Sequence, residues 1–332
     1  MNTYRLTVLA ALALASTQAQ SGAALNNLKW DGFLNARGAV SDSSESYLGD
    51  IDDNGSFQET DYGLSASAQL SQRLRIAAQL HLSSVVTFDW GFASYAYNPN
   101  ITGRVGKIKY PGTIISEYVD VGLTYPWVRP PESIYSETAE LSFESYTGVS
   151  GLYEAGDDTS YNLNLYGGQI SEDGEQHDKL LGAVFTLSND YGEIKLNTNQ
   201  STVEAEGEEI DGENRAILSV GIRGEWNSVV LYSEFAHSEI DNFSESDTDA
   251  WYTTVGYRFG NTMPHMTYQD YKVDDGTEQS SWMLGVKQQL SQYSALKLEV
   301  QRISDIKNGG LFAQQPDDSD VYLFNAAMNF VF

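Results

Sequence analysis

Residues two apart along this chain are apolar or aromatic while those between them are polar or small, and the pattern recurs from Leu28 to Phe332. A period of two belongs to a β-strand whose faces meet different surroundings. In Leu28 to Val40 the apolar set is Leu28, Trp30, Leu34, Ala36 and Val40, with Lys29, Asp31, Asn35 and Arg37 between. Tyr62, Leu64, Ala66, Ala68 and Leu70 repeat it, as do Leu74, Ile76, Ala78, Leu80 and Leu82 beyond Ser71-Gln72-Arg73. Further on, Leu218, Val220 and Ile222, then Trp282, Leu284 and Val286, keep the phase. No amphipathic helix competes, and no stretch beyond the first two dozen residues has the roughly 18 apolar residues of a membrane-spanning helix. An apolar content of 41% is low for a chain of 332 residues with one conventional core, and it fits a barrel with a wet interior.

Residues 1–24 stand apart. Arg5, the apolar run Leu6 to Ala15 and the small residues after it form a secretory signal pattern, with cleavage sites after Ala19, Ala23 or Ala24. Residues 25–332 are then one exported domain. The absence of Cys excludes disulfides, thiolate metal sites and thiol catalysis. With 46 acidic against 19 basic residues and a formal charge of -27, nothing here would neutralise a nucleic acid.

A soluble sandwich would also alternate, so the connections decide. Short turns fall near 71–73, 98–100, 157–159, 189–191, 227–228, 260–262 and 291–293. Between them lie connections near 41–60, 87–88, 111–145, 171–178, 204–213, 240–249, 274–279 and 305–319, all but one long. This count predicts sixteen strands, with fourteen or eighteen as the alternatives, short turns on one side and long loops on the other. A transmembrane antiparallel barrel is built this way.

Charges agree. More than half of the 46 acids fall in the long loops, while most Lys and Arg sit in strands at polar-phase positions, among them Arg37, Arg75, Lys107, Lys109, Lys195, Arg223, Lys287 and Lys297. A charge facing lipid at mid-depth costs about 2–4 kcal/mol, so these side chains are expected in a polar lumen. Trp30, Tyr62, Trp226, Trp251, Tyr257, Phe259, Trp282 and Tyr322 take the apolar phase, mostly toward strand ends, where interfacial girdles belong; as aromatic residues they are also ordinary strand formers.

The chain resembles the sixteen-stranded trimeric porins of Gram-negative outer membranes. Three features carry the resemblance: the alternating aromatic last strand ending in Phe332, the run Gly103-Arg104-Val105-Gly106-Lys107-Ile108-Lys109-Tyr110-Pro111, and Tyr125-Pro126-Trp127-Val128-Arg129-Pro130-Pro131-Glu132, which is similar to a motif of gammaproteobacterial porin-like proteins. The Pro-Glu-Phe-Gly loop motif of the best-known enterobacterial porins is missing. The resemblance implies a homotrimer among outer-membrane lipid and lipopolysaccharide, assembled by the barrel-assembly machinery through Phe332. It also implies a third loop folded into the lumen, and passage of small hydrophilic solutes and ions.

That third connection, 111–145, holds Glu117, Asp120, Glu132, Glu137, Glu140 and Glu144 against one cation, Arg129. Some 35 residues without a strand pattern need a job inside a compact domain. Folded inward they narrow the pore; packed over the outside they are a solvated acidic loop. Pro126, Pro130 and Pro131 restrict the backbone, and Tyr125 and Trp127 can pack it against the wall. The wall cations Arg37, Arg75, Lys107 and Lys109 either face the loop's carboxylates across the eyelet, giving a transverse field, or neutralise lumen acids such as Asp31 and Glu299.

In the first long loop, Asp50, Ile51, Asp52, Asp53, Asn54, Gly55 and onward to Asp61 match calcium-loop spacing. Asp50, Asp52, Asn54 and Asp61 are the candidate ligands, although the twelfth position is Asp rather than Glu and the flanks read as strands. Beyond Ca2+ or Mg2+ at such acidic loops, no cofactor is called for. His81, His177, His237 and His265 are scattered, with no hydrolase or phosphate-binding motif beside them, so the sequence points away from an enzyme. The expected function is a weakly cation-selective diffusion pore; a substrate-selective channel and a non-conducting surface adhesin or receptor are the alternatives.

Overall fold

The computed structural model describes residues 28–83, 85–172, 175–205 and 207–332; the signal segment lies outside them. Sixteen strands follow in order: β1 Leu28–Ser41, β2 Asp61–Gln69, β3 Leu74–Leu82, β4 Val86–Asn98, β5 Ile101–Lys109, β6 Ser145–Ala155, β7 Thr159–Glu172 and β8 Glu175–Asn189. The second half comprises β9 Gly192–Glu204, β10 Asn214–Trp226, β11 Val229–Ile240, β12 Thr248–Tyr257, β13 Thr262–Val273, β14 Glu278–Ser291, β15 Ser294–Lys307 and β16 Val321–Val331. Each pairs antiparallel with its neighbours in sequence, and β1 closes on β16 from Phe33↔Val331 to Ser41↔Leu323. Closure leaves no free sheet edge, which is what a bilayer demands of a β structure.

The period-two reading holds. Trp30, Val105, Leu165, Leu284 and Phe324 are all more than half exposed on the outer wall. On the alternate phase Asn35, Gln79, Asn197, Thr267, Gln301 and Asn329 are buried inside. The tight turns lie at one end; Asn227 and Ser228, both with positive φ (46° and 70°), form the two-residue link of β10 to β11, the geometry that matches strand twist.

Two connections differ from expectation. The third strand meets the fourth near 83–85 rather than 87–88, because Asp89 bulges where Gln79↔Trp90 gives way to Leu80↔Phe88. The expected loop 171–178 is mostly strand, since β7 runs to Glu172 and β8 starts at Glu175, with an irregularity between Asp178 and Leu181 where Lys179 takes a positive φ. The long connections are thus L1 (42–60), L3 (110–144), L5 (205–213), L6 (241–247), L7 (274–277) and L8 (308–320).

The hydrophobic core lies between L3 and the inner wall. Ile114, Ile115, Tyr125, Trp127, Ile134 and Leu141 of L3 pack on Tyr232, Tyr252, Met263, Met283, Ile303 and Leu323. A second cluster joins Tyr110 and Phe143, at the two roots of L3, to Tyr146, Tyr166 and Ile217. Tyr47 and Ile51 of L1 meet Leu311 and Phe312 of L8, and Leu48 N–H donates to the Leu311 carbonyl, so L1 and L8 cover part of the long-loop mouth together.

Candidate constriction site

L3 is folded into the lumen, and lumen side chains hold it by its backbone. Near its start, Lys195 Nζ donates to the Thr113 carbonyl (2.9 Å), Ser219 Oγ to the Gly112 carbonyl (2.6 Å), and Glu234 accepts from the Ile114 N–H (2.9 Å) and the Tyr135 hydroxyl (2.6 Å). These partners belong to β9, β10 and β11. Six residues later Asp120 lies against the other side: its carboxylate meets Lys109 Nζ at 2.7 Å and Gln79 Nε2 at 3.2 Å, and its carbonyl accepts from Asn35 Nδ2 at 2.7 Å. L3 therefore crosses the lumen from β9–β11 to β1, β3 and β5.

Gly122 makes this crossing possible at one point, because a Cβ there would stand 2.4 Å from Asn329 Nδ2 and 2.6 Å from Asn35 Oδ1. The chain then turns back along the wall. Lys297 Nζ donates to the Gly122 and Trp127 carbonyls (both 2.5 Å), and Lys287 Nζ to those of Leu123 (2.5 Å) and Tyr125 (3.2 Å). Trp127 is fully buried and its indole N–H reaches Thr254 and Thr267 at 3.0 Å. Tyr125 donates to the Val119 carbonyl and accepts from Arg37; burial foremost pushes its hydroxyl up to about 12.

Arg129 clamps L3 to L1 through Glu59 (2.7 Å) and to β16 through Asn325 (2.8 Å). Glu132 opens the single helical turn Glu132–Tyr135 and is buried; its carboxylate accepts from Gln269 and, at 3.3 Å, from Gln301. Burial raises its pKa above the ordinary glutamate range against the opposing pull of Arg129. Farther on, Arg215 binds Glu140 through carboxylate (2.5 Å) and carbonyl (2.9 Å).

The sequence-derived residues sort as follows. Asp120, Arg129, Glu132 and Glu137 line one cavity of about 420 Å³ above L3, shared with Arg37, His81 and Asp61 of the wall, Asp50 and Glu59 of L1, and Glu144. Glu117 stands on the same loop between Arg104 and Lys195, 3.9 Å from each. Lys109 reaches Asp120 of L3 at 2.7 Å and also pairs with Asp89 at 2.9 Å. Arg75 is exposed at the short-turn end, opposite Gln69 and Ser94, far from L3 in register.

Lys107 requires correction. It shares the outward phase of Val105, faces Gly91 and Thr147, and its ammonium donates to the Phe88 carbonyl (3.0 Å). The assumed phase fails because Lys107 keeps the outward side of Val105 and Thr147, and only at the end of β5 does Lys109, opposite Ser145, turn inward to Asp89 and Asp120. The calcium-loop candidates do not converge either. Asp61 begins β2 and points into the lumen toward Asn35, His81 and Arg37, whereas Asp50 binds Ser56 and Asp52 caps the Asn54 N–H. Among the described residues no cluster of three or more His, Asp or Glu is arranged to hold a metal ion.

Sequence reasoning placed Lys195, Lys287 and Lys297 in the lumen but not under L3, and it passed over Glu234. The available signal was inward-phase residues that are themselves apolar, such as Tyr232, Tyr252, Met283, Ile303 and Leu323. A strand apolar on both faces inside a wet barrel marks the wall that a loop covers.

No protein-family model and no curated protein matches the chain. Solved structures do. An anion-selective porin from Comamonas acidovorans superposes with a TM-score of 0.66 at 12% identity, over 92% of this chain and 99% of that one. The trimer form of in-vitro-folded OmpT from Vibrio cholerae gives 0.62 at 12%, over 92% and 100%, and Salmonella typhi OmpF in complex with daunomycin 0.63 at 13%, over 92% and 98%. The chain has the porin fold, a closed sixteen-stranded barrel of the outer-membrane type.

Proposed function

We propose that this barrel is a diffusion channel of the Gram-negative outer membrane, passing small hydrophilic solutes and ions with a modest preference for cations, and that it is not an enzyme. The observation that carries the reading is L3 itself: it lies inside the lumen, anchored by Lys195, Lys287 and Lys297, and its cavity face carries Asp120, Glu132, Glu137 and Glu144. A water-filled passage lined by excess carboxylate raises the local cation concentration, less so as salt screens it.

In the same reading the barrel is a homotrimer in lipid and lipopolysaccharide, assembled through Phe332. Its outer-loop acids, such as Asp52 and Asp53, meet lipopolysaccharide phosphates through bridging Ca2+ or Mg2+. The Phe332 ring is exposed while its backbone pairs with Gly32, which leaves the side chain available for recognition. A second reading, a substrate-selective channel, is favoured by the crossing of L3 from wall to wall, since such a path is narrow.

Planar-bilayer recording under a KCl gradient tests both. Ohmic steps with a reversal potential favouring K+ support the diffusion channel, and saturable block by one solute supports the selective one. A folded, heat-modifiable barrel that never conducts refutes both and leaves a surface receptor.

A further inference from the structure

Lys107 stands on the lipid side of the wall, where an unpaired cation is tolerated only near the headgroups or against an anion. Its depth follows from the register. Val105, Val149, Gly167 and Leu181 lie side by side on β5 to β8, and the three with side chains are more than half exposed, an apolar row. One step nearer the long loops, Lys107 is paired with Thr147 and Thr147 with Gln169. On β8 the same level holds Asp178 and Lys179, because the pairing with β7 slips between Gly168↔Leu180 and Ile170↔His177. His177 and Leu180 both pack inside, on Phe143 and its cluster, so the two residues between them bulge outward, and Lys179 is exposed. The outer wall of β5 to β8 thus turns from apolar to polar at this row, with a lysine at each end. The long loops of such a barrel are extracellular, which puts the row at the headgroups of the outer leaflet.

The ammonium of Lys107 leans the same way. Lys107 is opposite Gly91, yet its Nζ donates to the carbonyl of Phe88, three residues nearer the long-loop end of β4. A lysine stem laid along an apolar wall with its head drawn toward the interface is what a lipid boundary produces. The carbonyl takes one of three ammonium hydrogens and none of the charge. Thr147 and Gln169 beside it are exposed and bring further donors, while Asp178, the carboxylate of the row, accepts from Gln176.

We propose that this row, Lys107, Thr147, Gln169 and Lys179, is a docking site for the phosphorylated sugar head of an outer-leaflet glycolipid. The lysines take phosphates, the threonine and glutamine take sugar hydroxyls, and the acyl chains lie on the apolar row below. Three strand spacings separate the lysines, about 14 Å, a span that suits a disaccharide with a phosphate at each end. The site rests on the outer-membrane location of the barrel and makes its lipid contact direct, without a bridging metal; conduction does not enter.

The test is native mass spectrometry of the folded barrel in detergent with EDTA, titrated with diphosphoryl lipid A and with its fully dephosphorylated form. Expected is saturable binding of diphosphoryl lipid A, at least about tenfold tighter than the dephosphorylated form, since charge-assisted contacts are worth a factor of this order. Lys107→Gln, Lys179→Gln should weaken it at least about tenfold, and Lys107→Arg, Lys179→Arg, which keeps the charge, should hold it within about threefold. Lys272→Gln, Lys307→Gln removes the same charge from β13 and β15, outside the row, and should change it less than about twofold.

No binding by the parent, or equal affinity for the two lipids, overturns the site. Binding that disappears in EDTA overturns it as well, because a bridging metal then makes the contact. Equal losses in the two glutamine variants trace the effect to overall charge and have the same force. Competition by inorganic phosphate at the lipid's own affinity assigns the row to a free anion. A glutamine variant that splits an oligomer yet binds lipid A like the parent assigns it to a second copy; either result ends the lipid reading. If the glutamine variant gives no heat-modifiable barrel, the arginine variant and the dephosphorylated lipid decide. Conductance of the same preparations is scored separately: lipid binding without conductance refutes the channel and keeps the site, and conductance without lipid binding does the reverse.

Discussion

Replacing Lys109 with Met tests how L3 is held at its far crossing. Lys109 is 7% exposed, and its ammonium stands 2.9 Å from Asp89 and 2.7 Å from Asp120. At an effective dielectric of about 20 each contact is worth about 6 kcal/mol before desolvation is charged against it. Removing one partner of such a buried set leaves uncompensated carboxylates and costs about 3–5 kcal/mol. Met matches the aliphatic stem, so the loss is electrostatic rather than a cavity. The barrel wall does not give way first: the neighbouring segments of L3 keep Lys195, Lys287, Lys297 and Trp127, so the strain falls on residues 119–122. A shift of about 3 kcal/mol moves the attached-to-detached ratio of that segment by roughly two decades. Single-channel conductance and the size limit for neutral sugars should therefore rise, with a modest drop in melting temperature. Adding Asp89→Asn and Asp120→Asn should restore both toward wild type, because no buried charge is then unpaired. If the single and triple variants conduct and melt like the parent, Lys109 does not hold the crossing and the reasoning fails.

Other consequences are open to direct measurement. Trp127→Ala removes a fully buried indole and two hydrogen bonds to Thr254 and Thr267, so the melting transition should fall by the equivalent of about 3–5 kcal/mol, with noisier current as L3 loosens. Reversal potentials recorded from low to high KCl should show a cation preference that shrinks as the Debye length falls below the pore radius; a constant ratio would exclude the acidic lining as its source. Glu132 has a raised pKa, so its stabilisation is fully present below the ordinary glutamate value and is lost as pH rises through the raised one. Glu132→Gln should accordingly show a smaller fall in melting temperature between about pH 4 and about pH 8 than the parent does.

The fold was legible because one period governs both faces of every strand. A lipid-facing phase at Leu218, Val220 and Ile222 cannot be shifted by one residue without burying Arg223 in lipid, so register and orientation come out of the pattern together. The site was legible only in part. Alternation assigns a side and says nothing of depth, which is why Arg75, at the short-turn end, was grouped with Arg37. It also assumes a regular strand, whereas at the end of β5 Lys107 and Lys109, two residues apart, face opposite sides of the wall. Spacing alone suggested a calcium loop over Asp50 to Asp61, but the last residue of that spacing already belongs to β2, whose pleat turns it inward.

Scarcity of cations links the scaffold to the charge of the passage. The chain has 19 Lys and Arg, and in the lumen Lys195, Lys287 and Lys297 are spent on carbonyls of L3, with Arg215 on Glu140 and Arg223 on the Tyr118 hydroxyl. An anchor placed on a backbone carbonyl holds the loop without neutralising any of its carboxylates. The consequence is that the lysine anchors on β9, β14 and β15 donate to the backbone of L3. In the channel reading proposed above, a preference for cations then follows from how the loop is fastened, without a dedicated filter. Reversing it would take new cations on the cavity side rather than exchange of the existing lysines, because moving an anchor releases the loop before it changes the field.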